Sequence, residues 1–149
     1  MGAPQASGIE AIAAVFAANR AAGRKALAPF VTAGDPDADA TFAILQAVDR
    51  AGASLCELGV PYSDPIADGP VIQASYTRAL DAGITIDSLL ATVKRAAATV
   101  SMPMLAMASY SIIFRRGIAR FVADAKAAGL AGFVVPDLPV EESSELEAA

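Results

Sequence analysis

The sequence predicts an α/β fold built from a parallel sheet covered by helices. Four segments, near residues 26–32, 54–58, 103–108 and 131–135, are too short and too apolar to be strands with one face in water. Segments with apolar residues at helical spacing lie between them. This alternation is typical of parallel strands in one sheet with helices packed against it.

Periodicity and terminal residues predict where the helices begin and end. In the first helix Ile9 and Phe16 share one face, and Gly23 follows its end. The second helix begins near Pro36 or Asp37. The predicted helices after the first span about residues 38–51, 70–82 and 117–128, with two more that begin near residues 85–88 and at Pro139.

The order of these elements leaves two architectures open, a (β/α) barrel and a doubly wound sheet. No G-x-G-x-x-G motif follows the first strand, which argues against a dinucleotide-binding sheet. A closed barrel needs eight strands, and four are predicted in this sequence. If the fold is a barrel, residues 1–149 make up half of it.

Composition excludes several classes of protein. Eleven Lys and Arg against 16 Asp and Glu give a net charge of −5 without a basic block, so the footprint of a nucleic-acid-binding protein is missing. The most apolar stretch, residues 99–114, is interrupted by serines and a proline and is shorter than the about 20 residues of a membrane-spanning helix. Without a leader pattern or a second cysteine to pair with Cys56, a reduced, cytoplasmic setting is expected.

Histidine is absent from the sequence, which excludes Ser-His, Cys-His and His-metal centres. Carboxylates, tyrosines and lysines remain for proton transfer. Cys56 is a lone cysteine in an apolar predicted strand, where a core cysteine is the common outcome. We therefore expect no metal site and no reactive thiolate.

The segment from Glu57 to Pro70, ELGVPYSDPIADGP, combines three carboxylates with three prolines and two glycines. Strand alternation places Glu57 on the opposite face from Cys56 and Leu58. Glu57 also lies near the carboxyl end of its strand, where both α/β architectures bind ligands. Loss of hydration there raises the proton affinity of a carboxylate and suits it to general acid/base chemistry.

Spacing alone leaves two interpretations of the carboxylates open. Glu57 can be held at a loop edge by a backbone amide or a lysine, and Asp68 can be a helix N-cap before Gly69 and Pro70. Alternatively Glu57 and Asp68, eleven positions apart across a proline-stiffened loop, converge on one ligand.

ELGVPYSDPIADGP resembles the signature of tryptophan synthase α subunits. Residues 30–36, FVTAGDP, and residues 136–142, PDLPVEE, resemble the same family at matching intervals. The resemblance implies a (β/α)8 TIM barrel with about the first four βα units present, so that residues 1–149 form the N-terminal half of a single domain. The sequence departs from the family at residues 109–112, SYSI, where Tyr and Asn two positions apart and then Pro are common.

The resemblance also implies an activity, the retro-aldol cleavage of indole-3-glycerol phosphate to indole and glyceraldehyde 3-phosphate, with no cofactor. It implies that Glu57 exchanges protons with the ring carbon and the side-chain hydroxyl. Asp68 would accept a hydrogen bond from the indole N–H. Phe30, Met107 and Val134 match the indole pocket of the family, although without the resemblance they would be interpreted as core residues.

The implied partner is the β subunit of tryptophan synthase, a pyridoxal phosphate enzyme. Two alternatives are a stand-alone lyase that releases free indole and a half-barrel fragment that only binds or acts as a scaffold. The family holds the substrate phosphate with segments of strands five to eight, and these 149 residues contain none of them. We therefore expect this polypeptide to be inactive by itself.

Overall fold

A computed structural model describes residues 8–66 and 68–149, which contain a four-stranded sheet flanked by helices. The sheet is parallel throughout and its strands follow in chain order, so the predicted parallel α/β arrangement is confirmed. The strands are β1 (Phe30–Thr32), β2 (Cys56–Gly59), β3 (Met104–Met107) and β4 (Gly132–Val134).

The strands are shorter than the apolar runs that predicted them. Pro29 and Pro103 precede β1 and β3, and a proline has no N–H to donate to a strand ladder. Their carbonyls still accept hydrogen bonds, from the amides of Glu57 (2.9 Å) and Cys56 (3.0 Å). Regular pairing therefore begins only after each proline.

The predicted helices are present. The described helices are α1 (Ile9–Ala21), α2 (Ala38–Arg50), α3 (Pro70–Asp81), α4 (Ile86–Ala97), α5 (Tyr110–Arg116), α6 (Ile118–Ala128), a 3-10 turn (Val140–Glu142) and α7 (Ser144–Ala148). The short helix α5 was not predicted, and the helix predicted from Pro139 is divided at Ser143, where the Ser143 hydroxyl donates to the carbonyl of Val140.

Side chains cap α2 and α4, two of the helices whose starts the sequence predicted. Asp37 accepts a 2.7 Å hydrogen bond from the amide of Ala40 at the start of α2. Thr85 and Ser88 form a reciprocal capping box at the start of α4. Each cap satisfies amides that the first turn of a helix leaves unpaired, and so fixes where the preceding loop ends.

The two faces of the sheet differ in burial. Leu58 and Ala106, which share one register row, are fully buried beneath the helices. The opposite face carries two further rows, in which Glu57, Met107 and Val134 are only half-buried. We call this less covered side, which carries Glu57, the inner face. The core therefore lies between the sheet and its helices, and the inner face remains open to a ligand.

Packing of α2, α4 and α6 fixes the sheet from its buried side. Leu45, Val93, Ile113 and Phe121 are among the most completely buried side chains. Full burial of a side chain of this size stabilises a fold by roughly 1.5–3 kcal/mol. These contacts hold the strands rigidly, which fixes the loops at their carboxyl ends.

Cys56 lies in this core with its side chain fully buried. Burial, assisted by the charge of Glu57, raises the pKa of the Cys56 thiol to about 11. A thiol with such a pKa is protonated at neutral pH and a poor nucleophile. This agrees with the structural cysteine that the sequence predicted.

Candidate active site on the inner face of the sheet

Glu57 is the only charged residue in the four strands and lies on the inner face. In the parallel register it stands between Phe30 of β1 and Leu105 of β3. Within residues 8–66 and 68–149, no side chain forms a hydrogen bond or ion pair with its carboxylate. The interpretation in which a lysine or an amide holds this glutamate therefore finds no support among the described residues, and the carboxylate faces the open side of the sheet.

The loop after β2 brings Asp68 to the carboxyl end of the sheet. Its amide donates to the carbonyl of Pro65 (3.1 Å), and its own carbonyl accepts from the side chain of Gln73 (2.8 Å). The N-cap of α3 is Gly69, with no side-chain cap, so Asp68 does not serve as the helix cap. Asp68 instead lines a cavity of about 20 Å³ together with Met107.

Phe30, Met107 and Val134 lie on the same face as Glu57. Met107 and Val134 are register partners at the ends of β3 and β4, and Phe30 is the register partner of Glu57 itself. All three are half-buried, on the face opposite the layer of α2, α4 and α6. The structure thus places Glu57, Phe30, Met107 and Val134 on one face of the sheet, with Asp68 beside Met107 at its carboxyl end.

Gly59 is a part of this site that the sequence did not reveal. A β-carbon at this position would lie 2.4 Å from Cζ of Phe30 and 2.8 Å from the hydroxyl of Tyr76. Both distances are shorter than van der Waals contact allows. The last residue of β2 must therefore be glycine for the Phe30 ring and the Tyr76 hydroxyl to occupy their positions.

A second unpredicted feature joins the loops after β3 and β4. The carboxylate of Asp137 accepts hydrogen bonds from the Ser109 hydroxyl (2.6 Å) and the Tyr110 amide (2.8 Å). Ser109 is also hydrogen-bonded to the Ser111 hydroxyl (2.7 Å) and caps α5. The residues at which the sequence departs from the family pattern therefore form an ordered rim beside the site. In the sequence, the one signal for this rim was Ser109, because serine favours helix N-caps.

Next to this rim a groove of about 740 Å³ runs between the loop after β2 and α5. Tyr62, Ile112 and Arg115 are among the residues that line it. No group of His, Cys, Asp and Glu in the described part of the chain could hold a metal ion. Among the same residues, no helix has the length and apolar character needed to cross a membrane.

Comparison with known proteins identifies the family. The model of the tryptophan synthase alpha chain family matches residues 16–149, which is most of the chain. The chain belongs to the tryptophan synthase alpha chain family. The resemblance seen in the sequence is thereby confirmed.

Individual members of the tryptophan synthase alpha chain family agree with this assignment. A tryptophan synthase alpha chain from Synechocystis sp. is 52% identical over 138 residues, which are 93% of this chain and 52% of the relative. The crystal structure of the alpha subunit from Legionella pneumophila superposes with a TM-score of 0.90 at 34% identity, covering 93% of this chain and 53% of that one. Tryptophan synthase from M. tuberculosis gives a TM-score of 0.88 at 33% identity, with 96% and 56% covered.

These solved relatives are TIM barrels, so the predicted barrel-type fold with about four βα units is confirmed for this member of the family. The chain spans about half the length of the curated relatives it matches. Its four strands therefore correspond to about half of such a barrel.

We predict that Gly59→Ala destabilises the fold by about 1–3 kcal/mol, because the new methyl group overlaps the Phe30 ring and the Tyr76 hydroxyl. Gly69→Ala is the matched control, since a β-carbon there meets no atom within 4 Å. Urea unfolding of both variants measures the difference. Equal stability of the two would show that the close approach over Gly59 is not a real constraint.

Proposed function

We propose that this protein cleaves indole-3-glycerol phosphate to indole and glyceraldehyde 3-phosphate, as the α component of a tryptophan synthase. The observation that carries the proposal is the position of Glu57 on the inner face, with Phe30, Met107 and Val134 on the same face and Asp68 beside Met107. The family supports the assignment, because its members are tryptophan synthase alpha chains.

The proposed reaction is a retro-aldol cleavage, which requires two proton transfers. The ring carbon C3 gains a proton, and the hydroxyl on the adjacent side-chain carbon loses one as the carbon–carbon bond breaks and its electron pair returns to the ring. The hydroxyl becomes the aldehyde of glyceraldehyde 3-phosphate. We assign both transfers to Glu57, whose carboxylate forms no hydrogen bond or ion pair with another side chain among the described residues and can act alternately as acid and base.

Asp68 has the complementary role. Protonation of C3 places positive charge on the indole nitrogen, and a carboxylate that accepts a hydrogen bond from that N–H stabilises the charge where it develops. Asp68 reaches the carboxyl end of the sheet on its loop, beside Met107. The two carboxylates can therefore act on different atoms of one ring, with Glu57 at C3 and Asp68 at the nitrogen.

The remaining inner-face residues suit a flat aromatic ligand. Phe30, Met107 and Val134 offer an aromatic ring, a thioether and a branched alkyl group, with no competing polar atoms. Sulfur and aromatic edges make favourable contacts with aromatic rings. We propose that these three side chains contact the indole of the substrate.

The wider setting follows from the same proposal. Proton transfer by Glu57 and charge stabilisation by Asp68 need no cofactor, and the expected partner is the β subunit of tryptophan synthase. Residues 1–149 would form the N-terminal half of a single TIM-barrel domain that works in the cytoplasm. The M. tuberculosis relative carries the name tryptophan synthase, which supports the proposed assembly.

A suitable protein for testing the catalytic residues is a chimera, in which residues 1–149 are followed by the second half of the Synechocystis relative. In this chimera Glu57→Gln and Asp68→Asn should each lower the rate of indole release at least about a hundredfold. The amide of Gln cannot relay a proton, and the neutral amide of Asn stabilises positive charge less than a carboxylate does. Glu10→Gln and Asp64→Asn are matched controls at exposed positions. A spectroscopic assay of indole release gives the rates, and near-normal turnover in Glu57→Gln or Asp68→Asn would refute the role of that residue.

The isolated polypeptide of 149 residues should show no measurable cleavage of indole-3-glycerol phosphate. A phosphate dianion is bound by several amides or cations, and TIM barrels usually provide them in the loops after strands seven and eight. Without that anchor the substrate is not oriented against Glu57, and orientation can account for roughly 7–11 kcal/mol of a barrier. The second half of the barrel, added in trans, should restore turnover, whereas efficient cleavage by the isolated polypeptide would contradict the proposed phosphate anchoring.

A further inference from the structure

Tyr76 is a buried tyrosine whose hydroxyl reaches the inner face of the sheet. It belongs to α3, the helix that begins directly after the Asp68 loop, and only 1% of its surface is exposed. Its hydroxyl lies so close to Gly59 that a β-carbon there would be 2.8 Å away. Gly59 ends the strand that carries Glu57, and the same β-carbon would touch the Phe30 ring. The hydroxyl is thus placed among the residues proposed to hold the substrate.

The Tyr76 hydroxyl has no hydrogen-bond partner within residues 8–66 and 68–149. Every fully enclosed side-chain oxygen or nitrogen in that part of the chain does have a partner. The hydroxyl must therefore touch open space, and Tyr76 lines the cavity of about 20 Å³ next to Asp68. A hydroxyl that opens into a cavity and has no protein partner keeps its donor capacity, so it is suited to a partner that arrives with the ligand.

The surroundings determine what kind of partner the hydroxyl can serve. Burial, with smaller contributions from the charge of Asp68 and from Tyr62, raises the pKa of the Tyr76 phenol, so it is protonated at neutral pH and can donate. Of the two acidic residues that line the cavity, Asp68 is the one whose carboxylate no described side chain hydrogen-bonds. Asp137, the other carboxylate of the cavity, already accepts from Ser109 and from the amide of Tyr110.

We infer that Tyr76 is a positioning residue for Asp68. In the substrate complex its phenol donates a hydrogen bond to one Asp68 oxygen, directly or through a single water. The other Asp68 oxygen accepts the hydrogen bond from the indole N–H. The cavity is large enough for one water molecule, which needs two or more polar partners. Tyr62 lines the same cavity, and its ring packs against Tyr76 with centroids 5.9 Å apart. The inference rests on the proposed function, because it needs a ligand that engages Asp68.

The test uses the chimera and the variant Tyr76→Phe, which removes one oxygen and keeps the ring. We expect kcat to fall about tenfold with KM within about twofold, since the lost bond matters most when charge develops on the indole. The acid limb of the pH profile of kcat should move to higher pH, because the carboxylate loses a hydrogen-bond donor that stabilises its ionised form. A residue that only packed against its neighbours would not move that limb. Tyr110→Phe is the matched control, a half-buried tyrosine on α5.

Tyr76→Phe added to Asp68→Asn should lower kcat by no more than about twofold beyond Asp68→Asn alone, because Tyr76 acts through that carboxylate. A crystal structure of the unmutated chimera with an unreactive indole alkyl phosphate tests the same contact if the variant fails to fold. It should place the phenol oxygen within about 3.2 Å of an Asp68 oxygen or bridge them by one water.

Two results would overturn the inference while leaving the proposed function intact: an active chimera in which Tyr76→Phe keeps a normal kcat and an unmoved acid limb, or a ligand complex in which the phenol faces away from Asp68. A chimera that releases no indole would contradict the proposed function and the inference together.

Discussion

The in-register pairing of four parallel strands is the constraint on which this site depends. Pairing places Glu57 level with Phe30 and Leu105, and Met107 level with Val134. Side chains that share a register row of a sheet point to the same face. A shift of one residue in β2 would turn Glu57 into the helix layer and bring Leu58 to the open face. The position of Glu57, the proposed acid/base group, is therefore determined by the strand register.

The helix layer makes that register unambiguous. Leu58 and Ala106 are buried on the face opposite Glu57, where α2, α4 and α6 pack. Exposing such side chains would be far more costly than any local rearrangement of a loop. The carboxyl ends of the strands are fixed as a result, and two connections complete the rim: the loop carrying Asp68 and the contact of Asp137 with Ser109.

Much of the fold could be predicted because its signals are local. Apolar runs and helical periodicity located the four strands and most helices, and Asp37 marked a helix start through its capping chemistry. Glu57 and Asp68 stood out because carboxylates and prolines cluster after a strand. Residues 110–116 lack strong amphipathic periodicity over their seven positions, so the short helix α5 could not be identified.

The missed parts of the site depend on contacts between distant segments. Tyr76 is an ordinary helical tyrosine in the sequence, and only the fold brings its hydroxyl against Gly59, seventeen positions earlier. Asp137 is likewise joined to Ser109 across two strands. Alternation gives the face on which a side chain lies, but it does not give the neighbours that the side chain meets there.

The central claim is that Glu57 delivers protons to the indole ring on the inner face. Exchange of the C3 hydrogen of free indole for deuterium isolates this step, because free indole lacks the phosphate that other loops must anchor. Proton NMR in D2O should show the chimera accelerating loss of the C3 signal, and the Glu57→Gln variant should exchange no faster than indole without protein. Equally fast exchange with Glu57→Gln would show that another group protonates the ring, and would contradict this account of the site.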